Sequence, residues 1–180
     1  MDWSISTARL RLRPPVEADI PVMLAELNKM VIARNTARIP HPYHRDDALD
    51  YLRFVAGLDD RSRVAAVEEQ ATPGVMIGIA SYEWSAAKDD AELGYWLAEH
   101  VWGRGYASEA VAALVEDAFL RAGHGKMVAC YHDDNPASGR VLAKAGFGAT
   151  GACSSFSKAQ GREVPVTNVV LTQARWLSLR

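Results

Sequence analysis

Leu93-Gly94-Tyr95-Trp96-Leu97-Ala98-Glu99-His100-Val101-Trp102-Gly103-Arg104-Gly105-Tyr106-Ala107-Ser108-Glu109-Ala110 is the stretch that decides the fold. The apolar run through Leu97 reads as a strand. Two glycines one residue apart follow, and then a long helical pattern begins. Strand, glycine-rich turn and helix start together make an anion site. Glycine lets backbone N–H groups come close to a ligand. The first turn of a helix carries N–H groups with no partner inside the helix, and the macrodipole adds partial positive charge there. Phosphates fit that arrangement.

On the C-terminal side, Gly105 to Ala122 is the clearest helix. Ala107, Ala110, Val111, Leu114, Val115, Ala118 and Phe119 form one apolar face. Gly123 stops it. Lys126 to Tyr131 reads as a strand, and a strand–helix–strand unit of this kind is parallel and right-handed. Asp133-Asp134-Asn135-Pro136 breaks the strand, and a short helix runs from Ala137 to Ala145, with Pro136 suited to its first turn. Phe147 to Phe156 and Val164 to Trp176 read as two last strands, joined by a turn over 158–162. Such an extension offers a surface for a second subunit, so a homodimer is one expectation.

On the N-terminal side, Thr7 to Arg13 alternates, with Leu10 and Leu12 on one face and Arg9, Arg11 and Arg13 on the other. The arginines read as a solvated face; an acidic partner is the other reading. Pro14-Pro15 ends the strand. Helical spacing runs from Glu17 to Asn28, continues weakly over 29–38, and returns from His44 to about Leu58. Ile39-Pro40-His41-Pro42-Tyr43 is a loop, since prolines exclude helix there. This helical insertion either covers a substrate site or caps the sheet edge. Arg63 to Glu68 and Val75 to Trp84 form a hairpin, and Ala91 to Ala98 is the next strand. Short connections between these strands imply an antiparallel meander.

The chain has 180 residues, about half of them apolar, which suits one domain spanning 1–180. Twenty Lys and Arg against 22 Asp and Glu leave a formal charge of −2. That balance gives no argument for nucleic-acid or membrane partners. No apolar run approaches the ~20 residues of a membrane helix. Met1-Asp2-Trp3-Ser4 has no basic region leading into an apolar one, so no signal peptide is expected and the location read is cytoplasmic. Cys130 and Cys153 read as buried reduced thiols. His41, His44, His100 and His124 show no i, i+4 pairing and no cysteine neighbours, so no metal site is expected.

Three readings of the glycine turn compete. A P-loop pattern, G-x-x-x-x-G-K-[ST], is absent. A dinucleotide fingerprint lacks its third glycine, Ser108 standing there, and the turn is too long for it. A glycine pair needed only for geometry is the plain alternative.

Further residues shift the balance. His100-Val101-Trp102-Gly103-Arg104-Gly105 resembles motif A of the GNAT acetyltransferase superfamily, Q/R-x-x-G-x-G/A, with His100 replacing the first residue. Asn135-Pro136-Ala137-Ser138-Gly139-Arg140-Val141-Leu142-Ala143-Lys144-Ala145-Gly146-Phe147 resembles the family's N-x-x-S-x-R-V-L-x-K-x-G-F block. Glu92-Leu93-Gly94-Tyr95-Trp96-Leu97 and the opening Arg9-Leu10-Arg11-Leu12-Arg13-Pro14 are similar to the RimJ/RimL-type branch. The resemblance implies an α+β, three-layer fold: a mixed, mostly antiparallel sheet of about seven strands flanked by helices, with the fourth and fifth predicted strands splayed. It also implies acetyl-CoA as co-substrate. Backbone N–H groups from Val101 through Trp102, Gly103, Arg104 and Gly105 to Tyr106 would hold the diphosphate, with Ala107 and Ser108 continuing the helix start. Leu97 and Ala98 would pair with the pantetheine arm, and Asn135 would hydrogen-bond it. Arg140 either reaches a phosphate or is a solvated helix charge.

The implied chemistry is attack of an amine on a thioester. It needs a neutral amine, a donor for the oxyanion and a proton for the thiolate. The Leu97 N–H is the expected oxyanion donor. Many relatives place a tyrosine where this chain has Leu142, so Ser138, matching a serine of the RimL-type branch, is the expected proton donor. Glu92, a carboxylate inside an apolar strand, is the expected base, with Tyr131 and His132 as alternatives and transfer without a base as another. The acceptor is a protein N-terminal α-amine or a small-molecule amine. Leu142 and His100 leave a non-catalytic acyl-CoA-binding module as the second reading.

Overall fold

Alternation along the strands sorts the apolar residues onto two faces of one sheet. The computed structural model describes residues 3–180; Met1 and Asp2, which open the stretch read for a signal peptide, lie outside them. The strands are β1 (Ile5–Ser6), β2 (Leu10–Arg13), β3 (Arg63–Glu69), β4 (Met76–Ser85), β5 (Asp90–Leu97), β6 (Lys126–His132), β7 (Gly148–Ser157) and β8 (Arg162–Thr172). The helices are α1 (Ile20–Leu27), α2 (Met30–Ala33), α3 (Arg45–Ala56), α4 (Tyr106–Leu120), α5 (Pro136–Lys144) and α6 (Gln173–Ser178). The sheet order is β1-β2-β3-β4-β5-β6-β8-β7, and every pairing is antiparallel except β5 with β6.

Leu93 and Leu97 of β5 pack on one side with Val111, Leu114 and Phe119 of α4. Trp96 points to the other side, toward Met23 and Leu27 of α1. Val64-Ala65-Ala66-Val67 in β3 is buried throughout, because helices cover both faces there. On α4 the apolar stripe follows the helical period, and each of its large side chains contributes about 1.5–3 kcal/mol by burial.

One irregularity positions the site. β5 and β6 pair only at Ala91–Met127 and Glu92–Val128. Beyond that point β5 stays with β4. Gly78 makes this approach possible: a Cβ there would lie 2.3 Å from the Trp96 carbonyl oxygen and 2.8 Å from Leu97 Cα. With no side chain in the way, β4 carries the end of β5 off from β6 and a gap opens between them.

Four expectations change. The first predicted strand is two, because the Thr7 N–H donates to the Leu10 carbonyl and the Leu10 N–H to the Thr7 hydroxyl oxygen, which folds the chain into a turn. Weak helicity over 29–38 reduces to α2. The predicted strand through Trp176 ends at Thr172, whose hydroxyl caps α6 by accepting from the Arg175 N–H at 3.2 Å. Trp176 then packs against Phe119, ring centres 5.3 Å apart. Val166 to Val170 of β8 is paired on both sides, with β6 and with β7, and the outer strand is β7. Both cysteines are exposed rather than buried. The apolar face of the helical layer α1–α3 packs on β3, β4 and β5.

Arg9 and Arg11 lie on a solvated face, each side chain 48% exposed, while Arg13, at the end of β2, turns inward, and all three are ion-paired. Arg13 forks onto Asp19 with two bonds of 2.8 Å and reaches buried Glu68 at 3.1 Å. Arg11 meets Glu68 at 3.4 Å, and Arg9 meets Glu109 at 2.7 Å. Among the described residues, no helix is long and apolar enough to cross a membrane.

Candidate active site

The glycine turn supplies main-chain donors. Val101 N–H donates to Ala98 C=O and Trp102 N–H to Glu99 C=O, so these two amides are used inside a short 3-10 turn. From Gly103 to Ser108 no N–H has a partner among the described residues; the first helical bond is from Glu109 N–H to Gly105 C=O at 3.1 Å. Gly103 and Gly105 have φ of +76° and +80°, a region other residues rarely adopt. The sequence needs glycine at both positions for this reason, and six free amides at a helix mouth are the result.

The strand edge beside the gap supplies another donor. Ala98 N–H bonds the Ile77 carbonyl at 2.8 Å, toward β4. Successive residues of a strand turn their N–H groups to opposite edges, so Leu97 turns its N–H toward the gap. The Leu97 carbonyl is held by the Trp102 indole N–H at 2.7 Å. Ala98 is thus committed to the sheet, while the Leu97 amide is free.

The far wall is α5. Asn135 caps it: its side-chain oxygen accepts from Ser138 N–H at 3.2 Å, leaving the amide NH2 free. The Ser138 hydroxyl shares a 2.8 Å hydrogen bond with the Tyr95 phenol, which also lies 3.2 Å from the Ser138 carbonyl. Burial pushes the Tyr95 phenol up to about 12. Arg140 and Lys144, four residues apart, present two cations along the same wall. Leu142, at the position of the tyrosine found in many relatives, points instead into the core.

These walls enclose a cleft of about 360 Å³. It runs from the glycine turn, past Leu97 and Ser138, to Ile32, Asn35 and Thr36 at the end of α2. Among the described residues, no carboxylate lines it. A helix-mouth row of amides, two cations and a strand edge suit a long anionic ligand with an extended arm. A family model described as an acetyltransferase (GNAT) domain matches residues 9–148. The chain belongs to the GNAT acetyltransferase family. It is accordingly an acetyl-CoA-dependent acetyltransferase.

GNAT relatives extend along most of the chain. Over 159 residues it is 24% identical to the uncharacterized N-acetyltransferase YoaA of Bacillus subtilis (strain 168), covering 87% of this chain and 89% of that one. A 76-residue stretch is 34% identical to the uncharacterized N-acetyltransferase p20 of Bacillus licheniformis, 42% of this chain and 43% of that relative. Among solved structures, RimL, a ribosomal L7/L12 α-N-protein acetyltransferase in complex with coenzyme A, superposes with TM-score 0.81 at 19% identity, over 94% of this chain and 98% of that one. Spermidine N-acetyltransferase from Vibrio cholerae, in complex with CoA and spermine, gives 0.80 at 20% identity, over 95% and 99%. These likenesses concern the fold.

Within this GNAT cleft the remaining expected residues fall apart. Glu92 is solvent-exposed and does not line the cleft. It stands opposite Glu83, which Arg38 holds by bonds of 2.8 and 2.7 Å. His132 is buried, not a surface residue, and burial pushes its imidazole below the ordinary value. Tyr131 packs against the core, and neither it nor His132 lines the cleft. No group of three or more His, Cys, Asp or Glu is gathered for a metal among the described residues. Tyr95, the Trp102 indole, Lys144 and the α2 end were missed by sequence reasoning. Only Lys144 had a local signal, its i, i+4 relation to Arg140.

Proposed function

We propose that the chain moves an acetyl group from acetyl-CoA to a primary amine by direct attack, with both substrates bound together. The acceptor is a protein N-terminal α-amine or a small-molecule monoamine. The cleft carries this reading: it joins six free amides to an open strand edge and ends among uncharged residues of α2 and the loop after it.

In this mechanism the amides from Gly103 to Ser108 hold the diphosphate, with Arg140 and Lys144 beside them. The Asn135 NH2 binds the pantetheine arm. The neutral amine attacks the thioester carbonyl, and the Leu97 N–H stabilises the oxyanion. As the C–N bond forms and the C–S bond breaks, nitrogen gives its proton to water in the open cleft, sulfur gains one from Ser138, and water returns a proton to the serine oxygen. Ser138 supplies the sulfur's proton, with Tyr95 donating to its oxygen from behind. Glu92 has no part in these steps, because it lies outside the cleft.

An uncharged acceptor end disfavours an ammonium ion. An α-amine, with a pKa of about 8, reaches the neutral form far more readily than an alkylamine of about 10. A polyamine keeps a second cation, and Asp46, Asp47, Asp89 and Asp90 do not line the cleft to receive it. Thiol release from acetyl-CoA, measured with short peptides, monoamines and spermidine, tests the reading. Turnover of peptides or monoamines but not spermidine is expected. Tight CoA binding with no turnover on any acceptor would instead make the chain a binding module.

A further inference from the structure

The glycine turn is held from outside by a residue that does not line the cleft. Arg9, in the bend before β2, sends Nη1 to the Arg104 carbonyl at 2.9 Å. Its Nε and Nη2 both reach Glu109 Oε2 at 2.7 Å. Its own N–H donates to Glu109 Oε1 at 2.8 Å, and the Thr7 hydroxyl donates to the same oxygen at 2.6 Å. The guanidinium also lies 4.6 Å from the centre of the Tyr106 ring. One side chain thus ties together the peptide between the two glycines, the first turn of α4 and an aromatic wall of the cleft.

We propose that Arg9 is a positioning residue for coenzyme A, aiming the Gly105 N–H into the cleft by capturing the Arg104 carbonyl. The inference rests on the reading that Gly103 to Ser108 hold the diphosphate. In a trans peptide the C=O and N–H point in opposite directions. With the Arg104 oxygen drawn outward to Arg9, the Gly105 N–H of the same peptide faces inward. Without that anchor, the Arg104–Gly105 peptide rotates more easily, since glycine follows it. The second contribution is electrostatic. Glu109 places a carboxylate in the first turn of α4, where it opposes a bound anion, and Arg9 neutralises it. A lysine cannot make these contacts together, because they use separate nitrogens of a planar fork.

Calorimetry with CoA and with 3′-dephospho-CoA tests this on the intact chain. Arg9→Met is expected to weaken both ligands about tenfold, and Arg9→Lys about fivefold, since the fork rather than the charge is at stake. The lysine variant carries the test if the methionine variant fails to fold. Arg11→Met is the matched control: Arg9 and Arg11 side chains are each 48% exposed, and both make ion pairs. It should bind CoA as the wild type does. In turnover, Arg9→Lys should raise the acetyl-CoA KM and leave kcat within about twofold. Wild-type affinity in both Arg9 variants overturns the inference. So does an equal loss in Arg11→Met, which would mark a general effect on the strand. A loss seen with CoA and absent with 3′-dephospho-CoA would place Arg9 on the 3′-phosphate, against the proposal. A wild-type protein that binds no CoA would remove the underlying reading of the cleft as well.

Discussion

At the glycine turn the cleft presents main chain; at the α2 end it presents side chains. The turn needs only two glycines and a helix start, and its donors are the amides of whatever residues stand there. The α2 end uses Ile32, Asn35 and Thr36, and their place depends on contacts from far along the chain. The β7–β8 hairpin holds that segment: Lys158 N–H donates to Ala37 C=O at 3.0 Å, Gln160 Nε2 to Arg34 C=O at 2.9 Å, and the Ser157 hydroxyl to Thr36 C=O at 3.4 Å. The difference teaches where variation is cheap. A site made of amides tolerates new side chains and keeps its ligand. A site made of side chains on a short helix and loop changes its acceptor with each substitution.

That contrast has a sharp first test. Gly105→Val forces a branched residue into φ +80°, and CoA affinity should fall about 150-fold. Unchanged calorimetric affinity would mean that the turn is not the ligand's anchor. Next in size, Ser138→Ala should lower kcat about 100-fold with little change in the acetyl-CoA KM. Tyr95→Phe should cost less, about tenfold, because the serine keeps its own proton. With the Tyr95 phenol pushed up to about 12, the wild-type rate should show no falling limb from this group below pH 10. A limb that vanishes in Tyr95→Phe would contradict this. At the opposite end, Asn35→Leu should raise the acceptor KM about fivefold and leave CoA binding alone; a change in both would erase the distinction between the ends.

The smallest effect concerns stability. Burial lowers the folded-state pKa of His124 and His132 below 6.5. The unfolded chain therefore binds these protons first, and stability is lost as pH falls below about 6.5. Glu109 and Asp117 are also lowered, burial being outweighed by hydrogen bonds from Thr7 and Arg9 and from Arg121 and Tyr82. Their contribution is present above the ordinary carboxylate range and is lost only at lower pH. The urea midpoint should thus decline from pH 7 to pH 5.5, and His132→Asn should flatten that decline. An equal decline in the variant would assign it to other groups.

Much of the architecture was legible because it is written in local periodicity. The stripe on α4, the alternation in β2 and the Asn135–Phe147 block each carry their signal within a few turns or strand repeats. The C-terminal helix was misread because Gln173–Ser178 has no strong period of its own, and it is held by Trp176 reaching Phe119. Glu92 looked like a buried carboxylate because its neighbours are apolar, but its face of β5 is open where the helical layer ends. The cysteines were misplaced for the same reason.

Taken alone, the sequence determined the turn, its two left-handed glycines and the helix mouth, since backbone conformation and amide supply depend on residues adjacent in the chain. The tertiary structure alone decided that Tyr95 meets Ser138, that Arg9 grips the turn from 95 residues away and that, among the described residues, no carboxylate lines the cleft. Those outcomes depend on which elements pack together, and a side chain's partner across a fold leaves no mark on the spacing of its neighbours.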